Sequence, residues 1–202
     1  MRMGARYCRF RGVVRSLATG GIWTKLFLGL CAVGAVYVSM ISTPGAVGLL
    51  AGTFALVMLA IAIVDGRSFI IPDELNIVGL ILAILVAAFQ EPNAWVQAVL
   101  LAAARGGGLG IIFLALRFAY AKLRGRQGLG LGDVKLAVVG GAWLDLLMIP
   151  VAIEMAALAA LLVYGLGKCA GSAISPTTKM PFGVYFAPAI WLCWVIETRY
   201  LG

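Results

Sequence analysis

Seven apolar runs, separated by short polar or basic loops, fill nearly the whole of this 202-residue chain. They lie at 22–41, 47–64, 75–89, 94–120, 134–148, 151–167 and 182–196. About 20 apolar residues are enough to cross a bilayer as a helix. The expected fold is therefore all-α: a polytopic transmembrane helix bundle of about seven spans. The composition agrees, with 63% hydrophobic and 12% charged residues, where a soluble domain carries about 25% charged. Almost no sequence is left over for a second folded domain. The expected organisation is a basic cytoplasmic N-terminal segment, 1–21, and one membrane-embedded unit, 22–202.

Some runs fit this frame imperfectly. The third, fifth and seventh are short, and their ends are expected to run into the adjacent loops. The fourth is overlong and contains Arg105 followed by Gly106, Gly107 and Gly108. It is expected to divide into a surface helix, a break, and a span that starts near Arg105. Arg105 would then snorkel at the outer face.

Loop charge orients the bundle. Residues 1–19 carry Arg2, Arg6, Arg9, Arg11 and Arg15 and no acid. A basic stretch before an apolar one is also the grammar of a signal peptide. The apolar stretch is too long for that, so an uncleaved first helix is expected. The loops with Arg67, with Lys122, Arg124 and Arg126, and at 168–179 are basic too. The loops 42–46, 90–93 and 143–150 lack Lys and Arg and hold Glu91 and Asp145. The two sets alternate, and seven spans with the N-terminus cytoplasmic satisfy every loop. The net charge of +8 belongs to this pattern. The expected partner of the basic loops is a lipid bilayer, with no nucleic acid.

There is no histidine. Ser-His and Cys-His nucleophiles in their usual form are excluded, as are HExxH zinc hydrolases. Cys8, Cys31, Cys169 and Cys193 form no CxxC pair, so a structural zinc site is not expected. A hydrolase built on this chain would rely on carboxylates for acid and base.

Two carboxylates stand out. Asp65 ends the apolar run 47–64, and Asp133 closes Gly130-Leu131-Gly132-Asp133 where a basic loop enters the fifth run. An ionisable group at membrane depth is costly and is a functional candidate by default. Each has a plainer reading. Asp65 would end a helix in water beside Arg67, and Asp133 would cap the helix after a flexible loop. Both map to the cytoplasmic end of the bundle, which favours an aspartyl dyad. Asp73, after Pro72, is read as a cap of the third helix and a supporting acid. Lys135 either neutralises a nearby carboxylate or reaches lipid headgroups. Gly130 and Gly132 permit close approach of another chain.

At these residues the chain resembles the type IV prepilin peptidases, membrane aspartic peptidases of the GxGD class. The matching parts are Val64-Asp65 with Ile71-Pro72-Asp73, then Gly130 to Leu136, Gly140 to Leu144, and Lys179-Met180-Pro181-Phe182-Gly183. The resemblance runs from about residue 47 to the C-terminus. It implies Asp65 and Asp133 as the catalytic pair, with Gly130, Gly132, Pro181, Phe182 and Gly183 as shaping elements. It implies proteolysis without metal or cofactor. The implied partners are prepilins or pseudopilins, each with a basic leader and an apolar helix, cut at the cytoplasmic face of a bacterial inner membrane. No paired CxxC motif stands near the N-terminus. The layout is similar to the short members of tight-adherence pilus systems that lack a methyltransferase region. Val184 stands where the family commonly has proline. A carboxylate-lined carrier or channel, and an inactive pilus-assembly scaffold, are the competing readings.

Overall fold

The computed structural model describes residues 21–125, 128–169 and 181–200. The basic segment 1–20, Arg126, Lys179 and the rest of 170–180 lie outside the described residues. All described secondary structure is helical: α1 Ile22–Ser42, α2 Ala46–Ser68, α3 Asp73–Gln90, α4 Trp95–Arg124, α5 Leu131–Trp143, α6 Met148–Cys169 and α7 Gly183–Tyr200. α1 to α4 and α6 are long and apolar enough to cross a membrane. The chain is a multi-pass membrane helix bundle.

α2 and α5 form its centre. Phe54, Met58 and Ile61 of α2 are almost fully buried, as are Leu136, Ala137 and Val139 of α5 and Phe186 and Ile190 of α7. Trp143 stacks on Phe54 with ring centroids 3.7 Å apart and meets Trp194 edge-on at 5.6 Å. Its indole N–H donates to the Gly79 carbonyl at 2.9 Å, so the polar tip of a buried ring is satisfied. α1 is peripheral, with Ser39 its one buried residue. Ser39 Oγ accepts the Trp191 N–H at 3.0 Å. Every long helix exposes large apolar side chains, as a lipid surrounding favours.

Two expectations are corrected. The fourth run does not break at its glycines, because α4 is one helix of 30 residues. Gly106 and Gly110 are instead where α5 crosses it. A Cβ added at Gly106 would lie 2.7 Å from the Val138 carbonyl oxygen, and one at Gly110 would lie 2.5 Å from Val138 Cγ2. Small residues let helix backbones approach closely in lipid. The absent side chains thus make a crossing rather than a kink. Arg105 pairs with Asp145 rather than only snorkelling.

The fifth run does not lengthen into a span either. α5 has 13 residues, about 20 Å at 1.5 Å per residue, against a hydrocarbon core of about 30 Å. It starts at Leu131, earlier than expected, because Gly130 is extended (φ −73°, ψ 152°) and serves as N-cap. It stops at Trp143, and Met148 already opens α6 after a turn in which its N–H donates to Asp145 O at 2.9 Å. A helix this short and buried on nearly every side is held by its neighbours, not by the bilayer.

Candidate functional site

The C-terminal turn of α2 and the N-terminal turns of α3, α5 and α7 meet at one end of the bundle. Asp65 lies in that turn of α2 and is 5% exposed. Its helix ends at Phe69, whose left-handed φ of 53° lets its N–H reach Asp65 O at 2.8 Å. That conformation is costly for a bulky side chain. It turns the chain sharply just after the aspartate.

The backbone N–H groups of Gly183 and Val184, at the start of α7, face the Asp65 carboxylate. A helix N-terminus favours negative charge there. Oδ2 nevertheless has no hydrogen-bond partner among the described residues. It lies so close to Gly183 that an added Cβ would sit 2.8 Å away. A buried acceptor without a partner is unusual.

Asp133 is the third residue of α5. Its Oδ2 reaches back to accept the Gly130 N–H at 3.1 Å. The reciprocal half of a capping box cannot form, because Gly130 has no side chain. Asp133 therefore ties down the helix start without being its N-cap. The two carboxylates are close enough for the charge on Asp65 to act on Asp133.

Ile71 is the wedge between the two ends. A Cβ added at Gly132 would lie 3.0 Å from Ile71 Cβ, and one added at Gly183 would lie 2.9 Å from Ile71 Cδ1. Both glycines leave room for this one buried side chain. Pro72 biases Ile71 toward extended backbone. Val184, where the resemblance expects proline, packs its Cγ2 3.1 Å from the Cβ position of Gly66, beside Asp65. Pro181 and Phe182 lead into α7, and the Phe182 carbonyl accepts the N–H groups of Tyr185 and Phe186, both at 3.0 Å.

Asp73 is not the cap of its helix. Pro72 holds that position (φ −64°, ψ 138°), and Asp73 is the first helical residue. Its Oδ1 instead accepts from Lys135 Nζ at 2.6 Å, with both side chains nearly half exposed. Lys135 thus meets a carboxylate that is not one of the central pair. Half-exposed pairs contribute roughly 0.2–1 kcal/mol. A double-mutant cycle of Asp73→Asn and Lys135→Met, read by thermal melting in detergent, is expected to give a coupling in that range. A coupling above about 2 kcal/mol would mean that the pair is desolvated.

An apolar groove of about 570 Å³ opens nearby, lined by Phe113, Leu116, Tyr120, Leu129 and Phe182 among others. Leu129 adjoins Gly130, and Phe182 adjoins Gly183, so the groove opens beside the starts of α5 and α7. Among the described residues no three Cys, Asp or Glu side chains converge where a metal ion would be held.

Several contacts are not legible in the sequence. Arg117 Nη1 donates to the Leu129 carbonyl at 2.6 Å. At the far end of α5, Arg105 pairs with Asp145, whose N–H donates to Glu197 Oε2 at 3.2 Å. Arg105 and Arg117 both carry a signal, a charge inside an apolar run. The Asp145–Glu197 contact joins residues 52 apart and has none.

Comparison with known proteins bears on the same residues. The model of the type IV leader peptidase family matches residues 52–166, which include Asp65 and Asp133. Among curated proteins, a prepilin leader peptidase/N-methyltransferase of Aeromonas salmonicida is 30% identical over 167 residues, 81% of this chain and 54% of that protein. The same-named protein of Dichelobacter nodosus is 29% identical over 140 residues, 69% of this chain and 46% of that protein. The leader peptidase HopD of Salmonella typhimurium is 29% identical over 136 residues, 67% of this chain and 85% of that protein. The chain spans about half the length of the first two. No solved structure gives a significant match. With a family match over more than half its length, the chain belongs to the type IV leader peptidase family.

Proposed function

We propose that this chain is a membrane aspartic endopeptidase that removes the leader of type IV prepilins or pseudopilins at the cytoplasmic face of a bacterial inner membrane. The observation that carries this reading is the meeting of Asp65 and Asp133 at one end of the bundle, with a buried Asp65 oxygen left unpartnered. Two close carboxylates do not easily both ionise, so they share a proton. The ionised member takes a proton from water, and the water oxygen bonds to the scissile carbonyl carbon. The protonated member hydrogen-bonds the carbonyl oxygen and then delivers its proton to the leaving nitrogen as the C–N bond breaks. The products are a leader carboxylate and a free amine. The pair titrates as a unit, so neither residue is fixed as acid or base.

The location suits the substrate. A basic leader stays in the cytosol while the apolar helix behind it enters the bilayer, which puts the scissile bond at the interface. A dyad there need not unwind a deeply inserted helix. The groove along Leu116, Tyr120, Leu129 and Phe182 opens beside the starts of α5 and α7 and would receive the apolar flank. A carrier would hold its carboxylates nearer the midplane.

The test is co-expression with a prepilin that carries a basic leader and an apolar helix. The expected result is a shorter product whose new N-terminus lies just before the apolar helix. Intact prepilin across several such substrates, with this protein folded in the membrane, would shift the reading to an assembly scaffold.

A further inference from the structure

Arg117 and Tyr120 of α4 are three residues apart and so share a helix face. Both meet the loop that feeds α5. The Tyr120 ring lies against Gly128, where an added Cβ would come within 2.5 Å of Cε1. Arg117 Nη1 donates to the Leu129 carbonyl at 2.6 Å. That carbonyl and the Gly130 N–H belong to one planar peptide unit. The same N–H donates to Asp133 Oδ2 at 3.1 Å. A guanidinium therefore grips one side of a peptide whose other side grips the carboxylate.

Two physical consequences follow from this chain of bonds. A cation on the carbonyl side polarises the amide and strengthens the hydrogen bond on the N–H side. The planar unit also passes on orientation, because fixing the carbonyl direction fixes the opposed N–H. An arginine inside an apolar run is costly to place, and its fixed fork holds one acceptor direction better than a flexible ammonium does.

We propose that Arg117 is a positioning residue, which holds the Asp133 carboxylate in its reacting orientation through the Leu129–Gly130 peptide. This rests on the peptidase reading above. Arg117 touches no substrate in this scheme and acts only through the loop.

The experiment compares full-length wild type with Arg117→Met and Arg117→Lys in lipid nanodiscs. It reads kcat and KM on a prepilin, melting temperature, and amide hydrogen exchange over residues 128–134. A misplacement of catalytic groups costs on the order of a hundredfold. Arg117→Met is expected to lower kcat by about tenfold to a hundredfold, with KM within about twofold. Arg117→Lys is expected to recover part of that loss. Exchange at Gly130 should quicken in Arg117→Met while the rest of α5 stays protected. Wild-type kcat in Arg117→Met would overturn the proposal. So would a rise in KM alone, which would make Arg117 a substrate contact. A shared fall in melting temperature with normal kcat in the folded fraction would reduce it to a structural staple and also overturn it. If wild type cleaves no prepilin, the peptidase reading falls separately, and exchange still decides the positioning. Faster exchange confined to 128–134 sustains it, and unchanged exchange at Gly130 overturns it.

Discussion

Asp65→Asn and Asp133→Asn are each expected to lower leader cleavage by at least about 10²–10⁴-fold, while the bundle stays folded. Asparagine keeps the size and one acceptor oxygen of aspartate. The amide carbonyl of the Asp133→Asn variant can therefore still receive the Gly130 N–H that Asp133 receives at 3.1 Å. It cannot take a proton from water or return one to an amine. The prediction thus separates proton transfer from packing. Groups that act as a unit are strongly non-additive, so the double variant should be no worse than either single one. The measurement is the leader-dependent gel shift of a co-expressed prepilin, normalised to the amount of folded protein. Cleavage that survives in one variant would remove that aspartate from the chemistry. Additive losses would mean that the two carboxylates work independently.

Much of this candidate site is legible in the sequence, and the reason lies in cost. A carboxylate or a Gly-x-Gly-Asp run in an apolar chain stands out, because lipid-embedded segments rarely tolerate either without use. Seven helices are legible for the same reason. What is hidden depends on contacts between distant segments. The run 134–148 reads as a short span, and nothing within it reveals that α5 is wrapped by α2, α3, α4 and α7 and so need not cross the bilayer. The glycines at 106–108 read as a break because glycine weakens helices in water, yet against α5 the first of them is what permits contact. Ile71 reads only as part of a motif. Its role as the wedge on Gly132 and Gly183 needs three chain ends in one place. Arg117 carries a visible signal, a charge inside an apolar run, but its partner is a backbone carbonyl, which no side-chain pattern records.

The crossing of α4 and α5 gives the largest expected effect on stability, and it discriminates between glycines inside the contact and glycines outside it. A Cβ added at Gly141 would lie 2.8 Å from the Arg105 carbonyl oxygen and 3.0 Å from Gly106 Cα. Both neighbours are backbone and cannot swing aside. Gly141→Ala must therefore push the two helices apart, at a cost of about 1–3 kcal/mol as overpacking, and Gly141→Leu is expected to prevent assembly of the bundle. Gly107 and Gly108 have nothing within 4 Å of an added Cβ. Alanine there gains about 0.5–1 kcal/mol of helix propensity, so Gly107→Ala should be neutral or stabilising. Melting in detergent would show the contrast. A stable Gly141→Ala beside a destabilised Gly107→Ala would reverse the assignment of which glycines lie in the α4–α5 contact. Activity should follow stability at Gly141 and fall further than it, because α5 carries Asp133 at its other end. With 13 residues and neighbours on nearly every side, the helix moves as a rigid rod. A shift at Gly141 is then delivered to the carboxylate, whereas a change at Gly107, where an added Cβ meets open space, reaches only the surroundings of the bundle.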